Sequence, residues 1–290
     1  MVQKLAGEKT SDKDITIPLF SEISLKIGPV FAIGEDYPTS RLQKGLILIS
    51  NGQDLAEEGV GFGVQVLKMG VKTIFPGGID LACLEEGAWH VIAATFYMNL
   101  QERLTSRNFG SVQSRSLNWI KDHLADVHRR FPPARGFMMA LSNTLRSSFG
   151  WQTTFEEAGY NHAVKVIYTV DSQAGVIAVD VDTSGVPKNG VTEVIVMNEQ
   201  GAQHFDTYSD SSGTLLRGEA IGSWEEVTAE RASFISNAHR LAFSLQQIDG
   251  ARLFRGRELI GSRLAWSGFG YCLQPTDQRF AYTLAVERLA

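Results

Sequence analysis

The feature that most limits what this chain can become is a two-residue alternation of apolar and polar side chains. It recurs in about a dozen short segments broken by glycine-rich turns. Before residue 101 the segments run over Gly45–Ser50, Gly61–Lys68, Val71–Phe75 and Trp89–Leu100, with a tight reversal at Met69-Gly70. After Trp151 the same period returns at Trp151–Glu156, Asn161–Asp171, Gly175–Asp182, Val191–Asn198 and Ala202–Tyr208. It continues at Arg231–Ser236, Leu241–Ile248, Arg252–Leu259, Leu264–Leu273 and Phe280–Glu287. Asp171–Gly175, Asn198–Gly201 and Ser209–Gly213 carry the residues of hairpin connections. Helices do not alternate with these strands, which argues against a doubly wound α/β sheet.

One stretch has a different period. Leu117, Ile120, Leu124 and Val127 follow helical spacing, Ser114 or Ser116 can cap, and Pro132-Pro133 stops the run. This predicts a helix over Ser114–Arg130. Phe137, Met138, Leu141 and Leu145 suggest a second before Gly150, with a strand as the alternative. The expected fold is mainly β: a large antiparallel β-sandwich or supersandwich, or a barrel, with a short helical insertion at about 112–149. Residues 1–16 read as a flexible tail and 17–290 as a single β-rich domain.

Charge and composition narrow the function classes. With 27 Lys and Arg against 32 Asp and Glu, the net charge is −5, so no long-range field draws in a phosphate backbone, and nucleic acid is not an expected partner. The longest apolar runs, Gly45–Ile49 and Phe137–Leu141, fall short of the ~20 residues of a membrane-spanning helix. Cys83 and Cys272 form no CxxC pair, which reads as buried thiols of a cytoplasmic protein rather than a disulfide framework or a zinc site. The expected partner is a small-molecule ligand, with neither cofactor nor metal; the oligomeric state is left open.

Gly59, Gly61 and Gly63 invite a nucleotide reading, but they lack GxGxxG spacing and are followed by a strand, so they read as turn or bulge points. P-loop, HExxH, GxSxG and EF-hand patterns are absent.

The densest charge pattern is Arg252, Arg255, Arg257 and Arg263 with Glu258 among them. On a strand Arg255 and Arg257 share a face, where two guanidinium forks can grip a carboxylate or phosphate; the same charges can equally protect a sheet edge. Trp266 and Tyr271 follow closely in sequence and offer aromatic platforms for a ring, or ordinary core packing. Among six histidines, His162 aligns with Val164 and Val166, and His204 aligns with Asp206 on the segment read as Ala202–Tyr208. A histidine on an inward face serves either as an acid/base group or as a structural hydrogen-bonding partner. Of the doublets Glu57-Glu58 and Glu225-Glu226, each supplies at most one site residue, since neighbours on a strand point oppositely.

Two classes stay open. One is an enzyme acting on a carbohydrate or related anionic polar ring, of isomerase, lyase or hydrolase type. There Arg255 and Arg257 anchor the anion, Trp266 or Tyr271 stacks, and His204 with Asp206 or His162 moves protons. The other is a non-catalytic barrel or sandwich that binds an apolar or amphipathic small molecule.

Overall fold

The computed structural model describes residues 14–29, 42–70, 72–106, 151–187, 189–260, 263–274 and 278–289. The expected helical insertion lies outside these residues. Two antiparallel sheets account for the strands. The first contains β1 (Ile15–Phe20), β2 (Ile23–Ile27), β3 (Ile47–Ser50) and β4 (Gln53–Asp54), in the order β1-β2-β3-β4. β1 takes in Ile15 and Thr16, the last two residues of the segment read as a tail.

The second sheet begins with β5 (Gly61–Met69), β6 (Lys72–Glu85), β7 (Trp89–Ser106), β8 (Trp151–Asp171) and β9 (Val176–Asp182). It continues with β10 (Val191–Gly201), β11 (Thr207–Asp210), β12 (Leu215–Arg217), β13 (Glu225–Glu226) and β14 (Arg231–Ser236). β15 (Leu241–Gln246), β16 (Ala251–Ile260), β17 (Arg263–Leu273) and β18 (Arg279–Arg288) complete it. Its fourteen strands run β12-β11-β14-β15-β18-β9-β8-β7-β6-β5-β10-β17-β16-β13. The edges are β12 and β13, three and two residues long, and a 3-10 turn at Gly218–Ile221 lies between them in the chain.

This single sheet folds back on itself. Phe234 of β14 meets Phe269 of β17 at 4.8 Å between ring centroids, Phe243 of β15 meets Phe62 of β5 at 5.2 Å, and Tyr282 of β18 meets Tyr271 of β17 at 5.1 Å. Rings from one half thus interleave with rings from the other, and one continuous apolar core runs between them. The expectation of a large antiparallel sandwich holds.

The strand boundaries differ from the expected ones in several places: β6, expected to end at Phe75, runs to Glu85, and β7, expected to end at Leu100, runs to Ser106. β8 is one strand through 151–171, and β7 pairs with it on both sides of an irregularity between Met98 and Leu100 that leaves 158–161 without a partner in the ladder, at the place where a break was expected. β10 also continues through Asn198–Gly201, where a hairpin was expected. Glu199 pairs with Gly61 on one side and Gly268 on the other, so ladder hydrogen bonds on both flanks hold the segment extended. The glycines read as bulge points are such: Gly61 and Gly63 have φ of 82° and 75°, and the β5–β10 register slips between Met197 and Asn198.

A bulge frees backbone groups that must find partners when buried. Asn198 Oδ1 accepts the Gly63 N–H (3.1 Å) and the Tyr282 hydroxyl (2.7 Å), while the Tyr168 hydroxyl donates to the carbonyls of Phe62 (3.0 Å) and Gly63 (3.2 Å). Burial pushes both phenols far above their ordinary pKa, so they remain donors.

Candidate functional site

At one end of the sandwich four side chains from four separate segments form a hydrogen-bonded row. Ser50 Oγ lies 3.2 Å from His239 Nδ1, His239 Nε2 lies 3.1 Å from His204 Nδ1, and His204 Nε2 lies 3.2 Å from Glu57 Oε1. Ser50 (2% exposed) and His204 (9%) are buried, His239 between them is half-buried, and the Glu57 side chain is 35% exposed.

Local backbone chemistry sets each member. Ser50 precedes Asn51-Gly52, whose positive φ values (49° and 79°) close the β3–β4 hairpin. Asp54 Oδ1 accepts the N–H groups of Ala56 (2.7 Å) and Glu57 (3.2 Å), an Asx turn that curls the loop and leaves Glu57 at φ 45°. Lys44 Nζ donates to the Glu57 carbonyl. Its burial lowers the Lys44 pKa, against the pull of Asp54, Glu57 and Glu58. His204 sits in the turn after β10, where its N–H reaches the Gly201 carbonyl (3.0 Å). His239 lies in the β14–β15 turn, capped by its N–H on Ser236 Oγ (3.3 Å). Of five non-glycine residues with positive φ among the described residues, Asn51, Glu57 and Arg240 belong to or adjoin the row. Such conformations persist only where surrounding contacts enforce them.

The row has two satisfied arrangements that differ by one proton. In the first, Ser50 donates to His239, His239 donates to His204, and His204 donates to the Glu57 carboxylate. In the second, an added proton lies between His204 Nε2 and Glu57, His204 donates to His239, and His239 donates to Ser50. Each assignment pairs every ring nitrogen within the row, and the Gln203 amide, 3.4 Å from His204 Nε2, must then turn its oxygen to that nitrogen. Burial, with the charge of His204, lowers the His239 pKa, which keeps that ring neutral in both. The row can therefore take up one proton with every one of its hydrogen bonds kept.

The pairing of His204 with Asp206 is not formed. Residues 202–206 are a turn rather than a strand, because β11 begins only at Thr207; Asp206 is exposed and accepts from Thr207 Oγ1 (3.0 Å). His162 is half-buried on β8 opposite Met98, and β7, β6 and β5 stand between its strand and β10.

Arg255 and Arg257 do share a face, and Tyr271 lies on it, since they pair with Phe269 and Ser267 of β17. Trp266 does not: it pairs with Glu258 and Gly201, occupies the opposite face, and donates Nε1–H to Glu258 Oε2 (3.1 Å). Tyr271 is core, its hydroxyl on the Gln246 carbonyl (2.5 Å). The Arg255 guanidinium rests 4.7 Å from the Tyr208 ring centre, and Arg257 Nε reaches the Ala202 carbonyl (3.4 Å), two residues from His204.

Sequence reasoning reached His204 and raised Glu57 as one of a glutamate doublet, but missed Ser50 and His239. The Asn51-Gly52 dipeptide is a strong hairpin signal that would have fixed Ser50 next to a turn. Nothing in the sequence signals that His239 meets His204, since they are 35 positions apart and brought together by two turns.

No family model matches the sequence, and no curated protein matches it. Among solved structures, the α-N-acetylgalactosaminidase NagBb from Bifidobacterium bifidum in complex with GalNAc is similar at a TM-score of 0.49 and 9% identity, over 95% of this chain. The ligand-free form of that enzyme gives a TM-score of 0.46 and 10% identity. The chain spans about a third (36%) of that enzyme's length. Among the described residues no helix is long and apolar enough to cross a membrane.

Proposed function

We propose that this chain performs side-chain acid–base catalysis on a carbohydrate or related anionic polar ring, in the cytoplasm. Glu57 and His204 exchange the proton with substrate, and His239 and Ser50 supply or receive it from behind. The observation that carries this reading is the row Ser50–His239–His204–Glu57, whose exposed end is a carboxylate hydrogen-bonded to an imidazole. A protein that only binds a ligand has no use for a row with two protonation arrangements. The described interior is filled by interleaved rings, which favours catalysis at the rim over carriage of an apolar molecule inside.

Arg255 and Arg257 hold the anionic group. Among the described residues neither is ion-paired with a carboxylate, Arg255 Nε is buried without a hydrogen-bond partner, and Arg257 touches the turn that carries His204. Substrate binding would satisfy that nitrogen.

The test is a panel of aldoses, uronic acids and aryl glycosides, assayed for anomer exchange, elimination and hydrolysis with the wild type, Glu57→Gln and His204→Ala. One substrate turned over by the wild type, with both variants at least about a hundredfold slower, is the expected result for loss of an acid–base group. Wild-type turnover that survives both substitutions overturns the assignment. Turnover of nothing, together with stabilisation by apolar ligands alone, would favour the binding-protein reading.

A further inference from the structure

Glu199 is a buried acid that the proton row does not use. It is 3% exposed, in the middle of β10, in a row across four strands whose other members are Gly61, Gly268 and Gly256. A Cβ at Gly61 would stand 2.7 Å from the Leu46 carbonyl oxygen, and one at Gly256 would stand 2.7 Å from the Trp266 ring. Main chain on one side and an indole on the other therefore close in around the glycine-flanked carboxyl. Its hydrogen-bond partner is the N–H of Val60, 3.4 Å from Oε2. An apolar residue of similar volume would be cheaper at such a place.

Val60 ends the 54–60 loop that presents Glu57. The loop's other anchors lie alongside: the Gly201 N–H on the Leu55 carbonyl (2.7 Å), Gly59 against the Gln200 backbone, and Lys44 on the Glu57 carbonyl. Resting on the reading above, we propose that Glu199 in its neutral form is a positioning residue: it holds the 54–60 loop down through Val60 and keeps Glu57 within reach of His204. Ionisation of Glu199 releases that loop.

The charged groups around it set the direction. Glu258 lies on the same sheet face from β16; the loop contributes Asp54, Glu57 and Glu58; Lys44 approaches from before β3; His204 lies over Gly201. β5 and β17 bring only glycine and apolar or uncharged residues to this part of the face. Burial, with a contribution from Glu258, pushes the Glu199 carboxyl up to about 8, against the Val60 hydrogen bond. An ionised Glu199 would thus be a buried charge facing the carboxylate of Glu258.

The experiment follows the His204 ring resonances by NMR from pH 6 to 10 in the intact chain, assigned by their loss in His204→Ala. It does not depend on turnover, so its failure is separate from failure of the proposed activity. An upper inflection near pH 8 is expected in the wild type. Glu199→Gln, which keeps an acceptor for Val60 but cannot ionise, should abolish that inflection. Should Glu199→Gln not fold, Glu258→Gln provides the second measurement, because removing a neighbouring negative charge moves the inflection to lower pH. A wild type without the upper inflection, or an inflection unchanged in either variant, overturns the proposal.

Discussion

Tyr168 and Gly63 lock the two halves of the sandwich together. The phenol donates to the Gly63 carbonyl at 3.2 Å, and a Cβ on Gly63 would stand 2.7 Å from the Tyr168 ring. Tyr168→Phe removes the donor shared by two buried carbonyls and should cost about 1–3 kcal/mol. Gly63→Ala should cost more, because it adds the clash to the roughly 1–2 kcal/mol of a left-handed backbone, here at φ 75°. Urea unfolding reads both. A loss under about half a kcal/mol, the range of surface substitutions, would mean the bulge carbonyls have other partners.

His239 should titrate below an ordinary histidine, and His204→Ala should raise its midpoint only part of the way back, since the repulsion from His204 goes and the burial stays. Its folded pKa is depressed, so the unfolded state binds the proton more tightly. This group's effect on stability is therefore a loss as pH falls below about 6.5. Ring resonances in the two proteins decide the point, and an unchanged midpoint in His204→Ala would show that the rings do not sense each other.

For Glu199 the sign is opposite. Its folded pKa of about 8 lies above the usual carboxylate value, so its contribution is fully present below about pH 4 and is lost as pH rises through 8. Glu199→Gln should flatten the decline in melting temperature between pH 5 and pH 8. Parallel curves for the two proteins would place the proton elsewhere.

Much of this architecture was legible because period-two patterning and glycine punctuation act locally. The segment Arg231–Ser236 coincides with β14, and Leu264–Leu273 differs from β17 by one residue. What failed were the places where pairing overrides local signals: Asn198–Gly201 resembles a turn, yet ladders on both flanks keep it extended. That error shifted the next segment, put His204 and Asp206 on a common strand face, and hid the turn that aims His204 at Glu57. Arg255 and Arg257 were placed correctly on one face, because two residues on a regular strand allow nothing else. Trp266 was grouped with Tyr271 by proximity in sequence, which ignores that an odd separation along β17 puts the two on opposite sides.

Arg257→Lys keeps the charge and loses the planar fork, so any rise in melting temperature produced by uronic acids or sugar phosphates should shrink in the variant. Identical shifts in the two proteins would reduce Arg257 to a surface charge.

Gly52→Ala tests the turn that sets Ser50. No atom lies within 4 Å of the added carbon, so the expected loss is the backbone term alone, about 1–2 kcal/mol at φ 79°. A larger loss in thermal unfolding would point to strain transmitted along β3.

The short terminal strands of the folded-back sheet bear on how copies of this chain behave towards one another. A sheet of fourteen strands ends in β12 and β13, three and two residues long. The segment joining them is pinned to β16 by Arg257 N–H on the Gly222 carbonyl, and the residue after β13 by Val227 N–H on the Leu253 carbonyl, each at 2.9 Å. Unpaired strand edges are the templates on which β proteins recruit a neighbour and begin to aggregate. Here the template is cut to a few residues at either end of the large sheet, so it gains much of the self-avoidance of a closed ring without closing.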